Sequence, residues 1–150
     1  MDIKTVFTEL ASALSGNEEI LTWLNTNFGV TSLKIYIGID PENYPSITDD
    51  AAVYLVPGSR SRTRGDAYRQ HTISIVCFIK DESKTVEGSI ETLNSIGMID
   101  DFTNLVEKCA FNKLQSLNIA VTSLAGESDE IYYPVARAEL AYSIEIPSRI

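Results

Sequence analysis

Asp81-Glu82-Ser83-Lys84 sets two carboxylates and an amine within four positions, with Asp66 upstream. Metal-dependent phosphodiester cleavage uses such a set, acids holding a divalent cation while a lysine steadies the attacking water. In nucleases of that kind the glutamate and lysine point from a strand into the site. Here the run reads as a solvated turn leading into a helix, which leaves catalysis as the weaker reading. His71 is the only histidine, without a second histidine or a cysteine at ligand spacing, so neither a general base nor a metal centre is expected from it. The chain contains no G-x-S-x-G, no G-x-x-x-x-G-K and no G-x-G-x-x-G, the usual parts of acyl transfer, nucleotide hydrolysis and dinucleotide chemistry. The expectation is therefore a protein that is not an enzyme, with no catalytic residue, no cofactor and no metal site.

The other chemistry-bearing stretch is Ser59-Arg60-Ser61-Arg62-Thr63-Arg64-Gly65, with three arginines on alternate positions. Residues 57–69 hold four arginines and one aspartate, whereas the remainder of the chain carries 8 basic against 20 acidic residues. A net charge of −9 repels nucleic acid and anionic membrane over most of the surface, so contact with either would have to pass through this patch. Three readings compete. The arginines are a solvated hairpin tip that keeps edge strands apart, or they neutralise phosphates, or they pair with carboxylates of another protein, for which guanidinium is suited by its bidentate geometry. The third reading has a partner in the same sequence. Arg60, Arg62, Arg64 and Arg69 of one copy can meet acidic loops at 40–50, with Asp49 and Asp50, and at 125–134, with Glu127, Asp129 and Glu130, of the next copy. Such a contact is heterologous and closes into a ring or runs on as a filament.

The elements that would carry these residues follow from periodicity. Ile3, Val6, Phe7, Leu10 and Leu14 recur at helical spacing before Gly16, predicting a helix over 2–15. Asn17 can cap a second helix, with Glu18 and Glu19 in its first turn and Gly29 at its end. Leu33, Ile35, Ile37 and Ile39 then alternate as a strand. Residues 51–56 and 69–80 predict two strands of a hairpin, stopped at Pro57-Gly58, whose loop of about twelve residues far exceeds the usual two to five. Val86, Ile90, Leu93 and Ile96 return to helical spacing; a break near Gly97 and a new start capped by Asp100 or Asp101 lead into Phe102, Leu105, Val106, Cys109 and Ala110. Strands at 118–124 and 135–146 close the chain. The predicted class is α+β, a mostly antiparallel sheet of about five strands packed against helices on one face, with a long extended β-hairpin arm.

At 150 residues and 44% hydrophobic content, one domain over 1–150 is expected. Cys77 and Cys109 sit in apolar contexts and read as buried reduced thiols. The opening MDIKTVFTEL lacks the basic start and apolar run of a signal peptide, and no window approaches eighteen apolar residues, so neither secretion by that route nor a membrane span is expected.

The order of elements and several local stretches resemble the tail terminator, or tail completion, family of tailed bacteriophages. The resemblance runs over nearly the whole chain: Tyr44-Pro45-Ser46-Ile47 in a loop, VYLVPGSR before a long arm containing glycine and arginine, then ISIVCFIK, FTNLVEKC and the closing YYPVARAELAYSIEI. It is one of layout and carries over no residue roles. What it implies is a structural virion protein, a hexameric homo-oligomer seated as a ring on the end of the tail tube. There it would stop tube polymerisation and present a surface to the head connector or neck protein. It implies partners in the tail tube protein and that connector, passing contact with DNA in the lumen, no membrane, and a place in the virion tail after assembly in the host cytoplasm. Arg137 and Glu139, on the polar side of the last strand, then line a subunit surface or the lumen, or simply face solvent. The alternatives are a monomeric head–tail adaptor of the neck and a metal-dependent nuclease.

Overall fold

In the computed structural model, which describes residues 1–38, 50–61 and 68–147 and the backbone alone at 59, 61, 125, 126, 128 and 132, the opening helices form where capping residues flank helical periodicity. In α1 (Ile3–Ser15) the Asp2 carboxylate accepts from the Thr5 amide at 2.8 Å, and Val6, Phe7, Leu10 and Leu14 are buried. In α2 (Glu18–Phe28) Asn17 accepts from the Ile20 amide at 3.0 Å, and Gly29 closes the helix in the left-handed conformation at φ 67°. Both caps satisfy backbone groups that a helix end leaves free.

The strands are β1 (Lys34–Ile37), β2 (Ala51–Ser61), β3 (Tyr68–Lys80), β4 (Lys84–Glu87), β5 (Ile90–Leu93), β6 (Ala120–Tyr132) and β7 (Val135–Pro147), with α3 (Ser95–Ser116) ahead of β6. The main sheet has the order β1-β2-β3-β7-β6, with β1 parallel to β2 and every other pair antiparallel. The chain leaves β3 through the β4–β5 hairpin and α3, reaches the far edge as β6, and returns as β7 between β6 and β3. Because side chains alternate along a strand, Ile73, Ile75, Cys77 and Ile79 of β3 share one face with Ala136, Ala138, Leu140, Tyr142, Ile144 and Ile146 of β7. That face and the three helices enclose the core, where Phe102 of α3 is fully buried and stacks on Trp23 of α2 at 5.2 Å. Surface ion pairs from Lys108 to Glu19 and from Lys113 to Glu9, each 3.1 Å, tie α3 to α2 and α1. The result is the predicted α+β sheet with helices on one face and a long hairpin arm, the β2–β3 pair.

Four expectations are corrected. Residues 84–93 form a two-stranded hairpin instead of a helix: Gly88 takes φ 62° in a two-residue turn, which left-handed glycine favours. Val86 and Ile90, spaced as on a helix, are exposed instead of packed. Helix α3 runs unbroken through Gly97, so Asp100 and Asp101 lie inside it instead of capping it. The expected acidic loop 125–134 is strand as far as Tyr132, its acids tolerated because β6 is the solvated edge of the sheet.

The fourth correction concerns the arm. β2 does not stop at Pro57-Gly58 but continues through a register shift between Pro57 and Arg60 to Ser61, and β3 begins at Tyr68. Pro57 is tolerated because β1 pairs only with Ala52–Leu55, which leaves the distal half of β2 as an edge with no lost ladder bond. A Cβ at Gly58 would come within 2.7 Å of the Thr72 carbonyl oxygen, so the close approach at the bulge requires glycine. The expected stretches at 39–49 and 62–67 lie outside the described residues.

Candidate functional site

Among the predicted arginines, the structure describes Arg60 and Arg69; Arg62, Arg64 and Asp49 lie outside the described residues. Arg60 on β2 stands directly across from His71 on β3, and Arg69 lies two positions before His71 on the same strand. All three therefore share the helix-side face, past Ile73 on β3 and level with the buried Ile144 and Ile146 of β7. Burial holds the His71 imidazole below its ordinary pKa, and the Arg60 and Arg69 charges add to that effect. Protonating His71 would add a third cation to an already positive corner. The Nε of Arg69 is buried with no hydrogen-bond partner among the described residues, beside Met1, Asp2, Thr5 and Pro147 in a small cavity of about 150 Å³.

The predicted acids separate. The Asp50 carbonyl accepts from the Lys80 amide at 2.8 Å, placing Asp50 at the end of the β2–β3 pair away from the arginines. On β6, Glu127 and Asp129 stand opposite Leu140 and Ala138 on the helix-side face, whereas Glu130 stands opposite Arg137 on the other face. The structure thus brings Glu127 and Asp129 together and leaves Asp50 and Glu130 elsewhere.

What joins Glu127 and Asp129 comes from α3. Asp100, Asn104, Glu107 and Phe111 recur at spacings of four, three and four, one stripe of a helix, and with β6 they wall a groove of about 400 Å³. Its apolar surface is supplied by Phe111, Tyr142, Val121 and Leu124, the last 53% exposed. Phe111 packs edge-on to the Tyr142 ring at 4.9 Å. The Tyr142 hydroxyl donates to the Glu107 carboxylate across the groove, and burial, then Glu107, raise the phenol well above its ordinary pKa. Asp100, Glu107, Glu127 and Asp129 make four carboxylates, with no cationic side chain among the described lining residues. Sequence reasoning missed Asp100, Glu107 and Tyr142. The polar stripe of α3 carries the signal for Asp100 and Glu107, but only 118–124 of the companion strand reads as strand and its acidic part from 125 reads as loop, so no carboxylate wall faces that stripe in the sequence.

On the opposite sheet face, Tyr36 stacks on Tyr54 at 5.0 Å, Phe78 packs edge-on against Tyr54 at 5.0 Å, and the Arg137 guanidinium lies 5.8 Å from the Phe78 ring centre. Arg137 and Glu139 pair with each other at 2.8 Å. Both are partly buried, so neither is an ordinary solvent-facing charge.

The nuclease candidates are engaged in structural contacts. Asp81 accepts from the Ser83 hydroxyl at 2.6 Å. Lys84 pairs with Glu91 at 3.0 Å and sits 4.8 Å over the Tyr133 ring. Among the described residues, no group of three or more histidine, cysteine, aspartate or glutamate side chains is arranged to hold a metal ion, and no helix is long and apolar enough to cross a membrane. No protein-family model matches the chain, and comparison with curated proteins finds no match.

Proposed function

We propose that this chain is a structural subunit that assembles with copies of itself into a ring on the end of a phage tail tube, ending tube growth and offering a surface for joining the head. The observation that carries the reading is the disposition of opposite charges on one sheet. Arg60 sits on the distal part of β2, which β1 leaves uncovered, with Arg69 on the adjacent β3, and Glu127 and Asp129 sit on β6, the edge strand on the far side of the sheet. Unlike surfaces at opposite edges of one subunit favour head-to-tail association, and a head-to-tail contact that closes gives a ring. The resemblance in layout to tail terminators supplies the target of that ring, the last layer of a tail tube. A ring complementary to that layer competes with the next tube subunit and removes the growing end. This role needs no catalysis or cofactor, and it places the protein in the virion tail after assembly in the host cytoplasm.

The test is to add the purified protein to polymerising tail-tube subunits, measuring tube length by electron microscopy and solution mass by light scattering. The expected result is arrest of elongation at a few rings per tube, with density at one tube end. Tubes that lengthen unchanged at every ratio would remove the tube-capping role and favour a monomeric neck adaptor.

A further inference from the structure

We infer that the groove between α3 and β6 is the receptor for the arginine segment Arg60–Arg64 of a neighbouring copy, seated along the free edge of β6. The inference names the contact for the assembly proposed above and rests on that reading for its ring, but the contact itself stands on four observations.

First, the groove is built for an extended cationic segment. Its lining joins the apolar surfaces of Phe111, Leu124 and Tyr142 to the carboxylates of Asp100, Glu107, Glu127 and Asp129. An arginine side chain fits such a site in both parts, its methylenes on the apolar surfaces and its guanidinium on the carboxylates. Second, β6 is the last strand of the sheet, with no strand partner on its outer side among the described residues. Its backbone can accept an added strand, the mode by which extended peptides bind sheet edges.

Third, the spacings agree. Glu127 and Asp129 are alternate residues on one face of β6, and Arg60, Arg62 and Arg64 are alternate residues of the sequence. In an added strand, alternate residues point to the same side, and residues directly opposite lie within reach of one another. Two-residue repeats of opposite sign therefore match along the edge, whereas a one-residue slip would turn the arginines away from the acids.

Fourth, Arg60 cannot make the contact within its own molecule. β3 and β7 stand between β2 and β6, about 14 Å across at the usual strand spacing. Arg60 is level with His71 and Ile144, Glu127 with Leu140 and Ile75, a further four residues or about 13 Å along the strands. An arginine side chain spans much less than the resulting diagonal, so the acids of one copy are open to the arginines of another.

A charge-swap experiment tests the contact on the full-length protein. One variant reverses the groove, Glu127→Lys with Asp129→Lys; the other reverses the arm, Arg60→Glu with Arg62→Glu and Arg64→Glu. In either alone, like charges meet and self-association measured by sedimentation velocity should weaken by at least about tenfold. Mixed one to one, the lysine groove receives the glutamate arm and the native groove receives the native arm, so assemblies of alternating subunits should return. Wild-type association should also weaken steeply as salt rises, a readout that needs no variant to fold. Variants that associate as the wild type does, a mixture that stays dissociated while each component is folded by circular dichroism, or a wild type that is monomeric at every concentration and salt would each overturn the inference. Tube capping separates it from the functional reading: restored assemblies that leave tubes uncapped keep the contact and remove the function, and capping that ignores both variants does the reverse.

Discussion

The Tyr142 hydroxyl of β7 donates a hydrogen bond to the Glu107 carboxylate of α3, so the helix and the sheet are fastened at the groove that lies between them. Tyr142 is 4% exposed, and its ring lines the groove beside Phe111. Removing the hydroxyl keeps the ring and loses only the tie. Tyr142→Phe should lower unfolding free energy by about 1–2 kcal/mol, the range for a hydrogen bond to a charged group whose acceptor remains partly solvated. Urea denaturation with an unchanged slope would check it; a variant as stable as the wild type would mean that the tie contributes nothing.

The same bond predicts a dependence on pH. Burial and Glu107 raise the folded-state pKa of Tyr142 above the ordinary tyrosine value of 10.0. Between those two values the unfolded chain has lost its proton while the folded one keeps it. The stabilisation is therefore complete below about pH 10 and declines as pH rises through the folded value. The stability gap between the wild type and Tyr142→Phe should narrow above about pH 10. A gap constant to pH 11 would remove this account.

The two thiols should separate by reactivity. Cys77 is fully buried and its pKa is pushed up to about 12, chiefly by burial. Cys109 is raised as well, again mainly by burial, but it is 8% exposed. Thiolate is the reacting species, so native protein treated with iodoacetamide near pH 8 should be labelled at Cys109 first, and at Cys77 only as fast as it unfolds. Mass spectrometry of digests taken over time reads both rates; equal labelling in native buffer would contradict the burial.

How much of this was legible depends on which force set each element. The first two helices were readable because their apolar residues keep helical spacing and Gly16, Asn17 and Gly29 mark ends locally. β7 was readable because its six inward apolar residues alternate without interruption. The β4–β5 hairpin was misread because Val86, Ile90 and Leu93 mimic helical spacing while Gly88, the residue that decides the turn, is a single position. β6 was half hidden because an edge strand need not alternate: Glu127, Asp129 and Glu130 sit in strand geometry that burial does not enforce. The arginines and acids were visible as charges. That Glu127 and Asp129 share a wall with Asp100 and Glu107 was not, since it depends on where α3 lies against an edge that periodicity did not reveal.

The bulge in the arm gives a steric prediction. At Gly58 an added methyl would meet the Thr72 carbonyl oxygen at 2.7 Å and its Cβ at 3.2 Å. The nearest atom is backbone in a paired strand and cannot swing aside. Gly58→Ala should therefore cost about 1–3 kcal/mol, as overpacking does, and should speed amide exchange in Val56–Ser61 and the facing part of β3. Amide exchange by mass spectrometry reads that locally, and unchanged protection on both strands would show that the bulge tolerates a side chain.

The acids and amine at 81–84 provide the last test, because the non-enzymatic reading and the nuclease reading differ in what those residues are for. In the structure Asp81 accepts from the Ser83 hydroxyl, the Glu82 carbonyl accepts from the Tyr133 hydroxyl at 3.2 Å, and Lys84 pairs with Glu91. These are the contacts of a turn and its hairpin, and Lys84 is held against the neighbouring strand by Glu91 and the Tyr133 ring. A lysine serving hydrolysis would have to leave that pair to reach an attacking water. Its ion pair is solvent-exposed, so Lys84→Ala should leave the urea unfolding midpoint close to that of the wild type. DNA incubated with the protein and Mg²⁺ or Mn²⁺ should stay intact, and the double variant Asp81→Ala, Glu82→Ala should give the same background on a gel. Metal-dependent cleavage by the wild type that the double variant abolishes would overturn the structural reading and make the hairpin turn the active site.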